Sequence, residues 1–218
     1  MLIRVGELLE NPVTGERGII RIAPEESNGY LLVGDLYVRP GGAVAGEHIH
    51  PATAESFTVV RGEVGVRIAG REVVAGPGER THVPARHTHD WWNAGDTEAR
   101  VVVEVQPGER FVQMIRQLFG LARDGRTTPK GMPRLLDGVA MGREFADTIR
   151  FTTPPQLVQR VMFGLLGPLA RRTGHRGTEY ANTEPTIVEL EPLPPEIVAL
   201  IPALAGAAPP HSAQEPGA

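Results

Sequence analysis

The stretch GAVAGEHIHPATAESFTVVRG, from Gly42 to Gly62, carries the pattern that decides the fold of this chain. His48 and His50 are two residues apart, so on a strand their imidazoles point to the same face. After a four-residue connection, Glu55 begins a run of alternating polar and apolar residues that is typical of a strand. The stretch therefore predicts two successive strands that carry imidazole and carboxylate groups.

A second stretch, GERTHVPARHTHDWWN from Gly78 to Asn93, places a third histidine of the same kind in a strand-like segment. This histidine is His89. Three neutral imidazoles and one carboxylate that converge inside a barrel would bind one divalent transition metal and leave coordination positions open. The two stretches together predict a metal site at His48, His50, Glu55 and His89.

The residues around these stretches, from Ile19 to Val105, are short strands separated by turns that contain glycine or proline. No parallel strand–helix–strand rhythm is present there. The whole chain of 218 residues contains 26 Gly and 20 Pro, which favours a turn-rich β architecture. The pattern is typical of a jelly roll or a small antiparallel barrel.

Both stretches resemble the two signature motifs of the cupin superfamily. The first motif is matched by Gly42, His48, His50, Glu55 and Gly62 without a gap, and the second by Gly78, Pro84, His89 and Asn93. The second motif departs from the family at Arg86, where glycine is usual. An arginine in this turn implies an ordinary φ or a side chain that reaches over the barrel mouth.

The resemblance implies a mainly β fold, a double-stranded β-helix or jelly-roll cupin barrel, over residues 1–108. It implies that His48, His50, Glu55 and His89 bind the metal, with Fe(II) expected first and Mn, Ni, Cu or Zn as alternatives. It also implies similarity to flavonol and quercetin dioxygenases, in which the glutamate leaves the metal and serves as a base. We therefore expect a dioxygenase that acts on a small aromatic or polyketide-like molecule.

Further candidate site residues follow from strand parity. Phe57, Val59 and Trp91 share parity with Glu55 or His89, so they are expected to point into the barrel and line a substrate pocket. His87 shares parity with His89 and is a candidate proton shuttle near the metal. Glu55 and His87 are thus the two candidate catalytic residues. Core packing is the competing interpretation for the apolar residues, and a position at the rim is the competing interpretation for His87.

After Gly108 the apolar period becomes helical, which predicts a helical extension over residues 109–183. Thr153 and Gln156 have the spacing of a capping box at the start of one of its helices. Residues 184–218 are rich in proline and are expected to form an irregular, partly disordered tail. We expect the apolar helix faces to pack against the barrel as a lid or to form the interface of a homodimer.

Composition excludes several classes of function. The chain has no Cys, so disulfides, thiolate metal sites and cysteine nucleophiles are excluded. Between residues 111 and 176 there are eleven basic and four acidic residues, a basic segment in a chain with a net charge of −4. We expect this segment to face the acidic remainder of its own protein rather than nucleic acid or a membrane. The expected location is cytoplasmic, because the apolar runs are short and interrupted.

Two other functions remain open from the sequence. The same ligands suit redox-neutral isomerisation, epimerisation or cyclisation with the metal as a Lewis acid. A barrel that binds a small molecule without transforming it is the third possibility, since no other catalytic constellation is visible in the sequence.

Overall fold

The computed structural model describes residues 2–205, in which twelve strands, five α-helices and one short 3-10 helix, Pro24–Ser27, occur. The strands are β1 Glu7–Asn11, β2 Glu16–Ile22, β3 Leu32–Val38, β4 His48–Ile49, β5 Ala54–Arg61, β6 Val64–Ile68, β7 Arg71–Ala75, β8 Arg80–Val83, β9 Thr88–Asn93, β10 Ala99–Gln106, β11 Arg150–Phe151 and β12 Thr186–Ile187. The helices are α1 Glu109–Arg123, α2 Leu135–Glu144, α3 Gln156–Arg172, α4 Pro195–Leu200 and α5 Pro202–Ala205.

The strands form two antiparallel sheets, one of seven strands in the order β12-β1-β2-β3-β10-β5-β8 and one of five in the order β11-β4-β9-β6-β7. Consecutive strands of the chain often lie in different sheets, as β4 and β5 do, which is the arrangement of a jelly roll. The predicted fold, a mainly β jelly-roll barrel followed by C-terminal helices, is confirmed.

The core between the sheets consists of alternate residues of facing strands, because successive side chains of a strand point to opposite faces. Its buried members are Val38, Phe57, Val59, Val64, Val66, Ala75, Val83, Trp91, Ala99 and Val101. Burial of each large apolar side chain contributes about 1.5–3 kcal/mol to folding. This core closes one part of the barrel and leaves the other part for the site described below.

Helix α1 packs on the barrel through an apolar face that includes Met114, Leu118 and Leu121, all buried. A buried ion pair fastens the same helix to β1, since Arg116 donates from Nε and Nη2 to the two carboxylate oxygens of Glu7, each at 2.6 Å. The expectation that the apolar helix faces are covered is therefore met for α1.

Helix α3 differs from α1 because its outer apolar face is not covered by any part of residues 2–205. Leu157, Val158, Val161 and Leu165 are each at least half exposed. It begins at Gln156, after an extended Pro155 that caps it without a side-chain hydrogen bond. The predicted capping box at Thr153 is therefore wrong. The amide of Gln156 instead donates to the carbonyl oxygen of Phe151.

Residues 184–205 run along the barrel. Strand β12 pairs with β1, and Arg100 of β10 donates to the carbonyl oxygens of Glu191 and Pro192. Ile197 and Ile201 are buried against Val33 and Val102. The end of the tail is expected to be disordered, but residues 206–218 lie outside the described residues. In residues 2–205, no helix has the length and apolar character needed to span a membrane.

Candidate metal centre

The four predicted ligands come from three strands of the two sheets. His48 of β4 lies opposite His89 of β9 in the five-stranded sheet, and His50 follows directly after β4. Glu55 is the second residue of β5 in the seven-stranded sheet. One ligand atom of each residue lies within 4.8 Å of all the others, and all four side chains are buried. The fold thus brings together every metal ligand that the sequence predicts.

Backbone carbonyl groups set the orientation of the three imidazoles. The Nδ1 atoms of His48, His50 and His89 lie 2.9, 2.6 and 3.1 Å from the carbonyl oxygens of Gly46, Thr148 and His87, respectively. A carbonyl oxygen only accepts, so each Nδ1 carries the proton and donates it. For His48 and His50, Nε2 is then the unprotonated nitrogen, as a metal ligand requires, and the hydrogen bond at Nδ1 fixes the orientation of the ring. Nε2 of His89 instead forms a hydrogen bond of 2.8 Å with Oε2 of Glu55.

The donor set fits a divalent transition metal. Nε2 of His50 is buried and has no hydrogen-bond partner within residues 2–205, although an orphaned buried nitrogen is costly. Oε2 of Glu55 lies 3.5 Å from this atom and 2.8 Å from Nε2 of His89. One ion bound by these atoms would satisfy the lone pairs of all four side chains.

Electrostatics favour the metal-binding form of His48 and Glu55. Burial, together with His50 and His89 nearby, lowers the pKa of His48 to about 3, so its ring is neutral at pH 7. Burial acts to raise the pKa of Glu55, but His50, His89 and His48 outweigh it and lower the pKa to about 2. Glu55 is therefore an ionised carboxylate at neutral pH. Burial acts to lower the pKa of His89, but its hydrogen bond to Glu55 and the charge of that carboxylate outweigh burial and raise the pKa.

Three of the four ligands open on a cavity of about 120 Å³ between the barrel and α1. His48, His50 and Glu55 line it together with two further acidic residues, Glu16 and Asp35, and the rest of the wall is apolar or glycine. Phe57 and Trp91 belong to that wall, with ring centroids 6.3 Å apart. An apolar wall that surrounds a few convergent polar groups is typical of a small-molecule site, but this cavity is smaller than the roughly 300–1,000 Å³ of ordinary ligand pockets.

Two other candidates lie elsewhere. Val59 is fully buried in the core between the sheets and does not line the cavity. His87 precedes β9 and has an exposed side chain, with Nδ1 3.1 Å from the carbonyl oxygen of Ala85. Strand parity does not extend to His87 because β9 begins only at Thr88. The structure thus does not bring the imidazole of His87 to the metal ligands, and only its backbone carbonyl oxygen contacts Nδ1 of His89.

Arg86 adopts a φ of 67°, in the left-handed region where glycine is usual. The expectation of an ordinary φ is therefore wrong. Its exposed side chain turns back to Pro51, with Nε 3.4 Å from the carbonyl oxygen of that residue. In the turn that leads into β9, an arginine thus occupies a backbone conformation that favours glycine.

Glu16 is a site residue that the sequence did not reveal. It begins β2, is buried, and lines the same cavity as the metal ligands. The Thr14 hydroxyl donates to its carboxyl group, and Glu16 forms no ion pair within the described part of the chain. Burial raises the pKa of Glu16 to about 7. In the sequence, an isolated glutamate at the start of a strand looks like an ordinary exposed residue. No motif therefore indicated that Glu16 belongs to the site.

A comparison with protein families matches residues 35–111 to the family described as "Cupin domain". The solved structures that are similar include a predicted oxalate decarboxylase from Thermotoga maritima, with 20% identity, 49% of this chain and 98% of that chain covered, and a TM-score of 0.42. They also include KdgF from Halomonas sp., with 18% identity, 49% and 92% covered, and a TM-score of 0.41.

The cupin domain of Cnp3 from Schizosaccharomyces pombe is 13% identical, with 45% of this chain and 66% of that chain covered and a TM-score of 0.40. No curated protein sequence matches the chain. The two sequence motifs, the jelly-roll sheets and the family match over residues 35–111 lead to one conclusion: this chain contains a cupin domain.

Proposed function

We propose that this protein is a metal-dependent enzyme that acts on a small organic molecule, and that its reaction is a dioxygenation of an aromatic or polyketide-like substrate. The observation that carries the proposal is a complete three-histidine, one-glutamate ligand set of which His48, His50 and Glu55 line a largely apolar cavity with aromatic walls. A bound Fe(II), or Mn, Ni or Cu, would polarise an enol or phenol oxygen and relay electrons from the substrate to dioxygen.

The residues of the chain have separate parts in this proposal. His48, His50 and His89 hold the ion, since their rings are fixed by backbone carbonyl groups. Glu55 is ionised, so its carboxylate can accept the proton of an enol or phenol in the cavity. Phe57 and Trp91 supply flat apolar surface for a planar substrate. We assign no part to His87.

A redox-neutral reaction with the same ligands is the second candidate, and Glu16 is the observation that favours it. Isomerisation or epimerisation requires a proton to leave one position and return to another, and a second acid–base group in the cavity serves that purpose. Glu16 lines the cavity with a pKa of about 7, so it can both donate and accept a proton near neutral pH.

Oxygen uptake separates the two candidates. Protein purified without oxygen and loaded with Fe(II) would be mixed with a flavonol, a catechol and a 1,3-diketone while dissolved oxygen and substrate are followed. Dioxygenation predicts equal consumption of oxygen and substrate, and its loss in Glu55→Gln. Glu63→Gln is the matched control, because Glu63 is exposed and outside the cavity. Substrate conversion without oxygen uptake would overturn dioxygenation in favour of redox-neutral chemistry. Full metal loading with no conversion of any substrate would contradict both.

A further inference from the structure

A second cavity, of about 670 Å³, lies outside the barrel between α2 and α3. We call it the α2–α3 groove. Its apolar lining includes Leu135, Ile149, Phe151, Met162 and Phe163. Its volume is in the range of cavities that bind small organic ligands. The groove belongs to the helical half, which the cupin motifs do not include.

The groove adjoins the metal centre. Ile149 and Phe151 line both the groove and the cavity of the metal ligands, so these two side chains form the wall between them. Phe151 lies opposite His48 in the pairing of β11 with β4, and the centroids of their rings are 6.2 Å apart. A molecule in the groove is thus one aromatic side chain away from a metal ligand.

The charged side chains of the groove are all cationic. Arg143, Arg150 and Arg160 line it, and no carboxylate does. Arg143 spans the groove and donates to the carbonyl oxygen of Phe163, and Arg150 uses Nε to donate to that of Ala146. None of the three forms an ion pair within residues 2–205, although Arg110 and Arg126 nearby are paired with carboxylates.

We propose that the α2–α3 groove binds the substrate on its way to the metal and selects an organic anion with an apolar body, such as a carboxylate. Unpaired guanidinium groups favour an anionic group, and the apolar lining favours a hydrocarbon or aromatic body. That this anion is the substrate of the enzyme rests on the proposed function. Its binding in the groove does not depend on the metal.

The test uses two fluorescent probes, 8-anilinonaphthalene-1-sulfonate and its uncharged analogue N-phenyl-1-naphthylamine, with metal-free wild-type protein and variants. The double variant Arg150→Gln/Arg160→Gln should raise the Kd of the sulfonate at least fivefold and change that of the uncharged probe less than twofold. Arg71→Gln/Arg123→Gln is the matched control, because it removes two exposed arginines outside the groove. It should change neither Kd more than twofold.

A second pair of variants locates the probe. Leu135 lines the groove and is 58% exposed, and Val74 of β7 is 56% exposed and outside it. Leu135→Glu should weaken the sulfonate at least fivefold, whereas Val74→Glu should leave its Kd within twofold. Equal Kd values for the sulfonate in wild type and Arg150→Gln/Arg160→Gln would overturn the proposal, as would an equal loss in either control. Because the protein is free of metal here, failure of this test leaves the metal centre and its proposed chemistry to be judged by oxygen uptake.

Discussion

At the scale of single residues, the orientation of the metal ligands depends on both neighbouring and distant groups of the chain. His50 is held by the carbonyl oxygen of Thr148, which belongs to the helical half, whereas His48 and His89 are held by carbonyls two residues away. The spacing of the motifs predicted the four ligands because strand parity determines where their side chains point. It did not predict the contact with Thr148, since no local pattern joins positions 98 residues apart.

Glu16 predicts a pH dependence of folding stability. Its pKa is about 7 in the folded protein, whereas the ordinary value for a solvated glutamate is 4.5, so the folded state holds the proton more tightly than the unfolded chain. The stability that this proton contributes is complete below about pH 4.5 and is lost as the pH rises to 7. Glu16→Gln should therefore gain stability over wild type across this window, reaching about 3 kcal/mol above pH 7.

Urea unfolding at a series of pH values from 4.5 to 9 measures this difference. Glu63→Gln, at an exposed position, is the control and should track wild type at every pH. A difference between Glu16→Gln and wild type that does not change with pH would contradict the assignment of a neutral, buried carboxyl group.

Arg86 predicts a stabilising substitution. A residue with a β-carbon in the left-handed region costs roughly 1–2 kcal/mol, and glycine does not bear this cost. Glycine also raises the conformational entropy of the unfolded chain, which offsets part of this gain. Arg86→Gly should therefore stabilise the protein by about 1 kcal/mol. That gain should raise Tm by roughly 2–4 °C in thermal unfolding.

The control is Arg71→Gly, which places glycine at a strand residue without a positive φ. It should lower Tm. If Arg86→Gly lowered Tm as much as Arg71→Gly does, the left-handed conformation at position 86 would not be the cost inferred here.

At the scale of elements, the helical half completes the site that the barrel begins. Helix α1 forms one wall of the metal cavity through Phe111, Met114 and Leu118, and β11 extends the sheet next to His48. Helical periodicity predicted that α1 exists and which face is apolar. It could not predict which barrel strand the helix covers, because that choice depends on the pairing of Arg116 with Glu7 across 109 positions.

The Glu7–Arg116 pair predicts a large coupling between β1 and α1. Both side chains are buried, so Arg116→Met would leave the carboxylate of Glu7 without a partner and cost about 3–5 kcal/mol. The double variant Glu7→Gln/Arg116→Met also removes the unpaired buried carboxylate, so it should recover at least half of the lost free energy of unfolding. Urea unfolding of the single and double variants measures the coupling. Simple additivity of the single-variant losses would contradict a direct buried ion pair.

At the scale of the whole molecule, charge and apolar surface are unevenly distributed. The sequence predicted that the basic segment would face the acidic remainder of the chain, and Arg116 does so through Glu7. Arg143, Arg150 and Arg160 do not, because they line the α2–α3 groove and pair with no described carboxylate. Sequence alone located the surplus of positive charge but could not show which arginines are neutralised, since ion pairing depends on how the helices pack.

The expected homodimer is a proposal that can be tested on α3. Val161 and Leu165 lie one turn apart on its outer face and are 55% and 73% exposed, and contiguous apolar patches of this kind mark interaction surfaces. Light scattering coupled to size exclusion should give twice the mass of one chain for wild type. Val161→Glu/Leu165→Glu should give the mass of a single chain.

Val73→Glu/Val74→Glu is the control, because these residues of β7 are 51% and 56% exposed on another element. It should remain dimeric. A monomeric wild type would overturn the dimer, and dissociation by the β7 variant alone would move the interface from α3 to the edge of the five-stranded sheet.

The metal content of the protein tests the central claim most directly. Elemental mass spectrometry of protein purified without oxygen would compare wild type with His48→Ala/His50→Ala and with His82→Ala/His87→Ala, which removes two exposed imidazoles. We predict close to one divalent transition metal ion per chain in wild type and in the control, and less than a tenth of that in the ligand variant. Equal metal in the ligand variant, or none in wild type, would contradict a metal centre at His48, His50, Glu55 and His89.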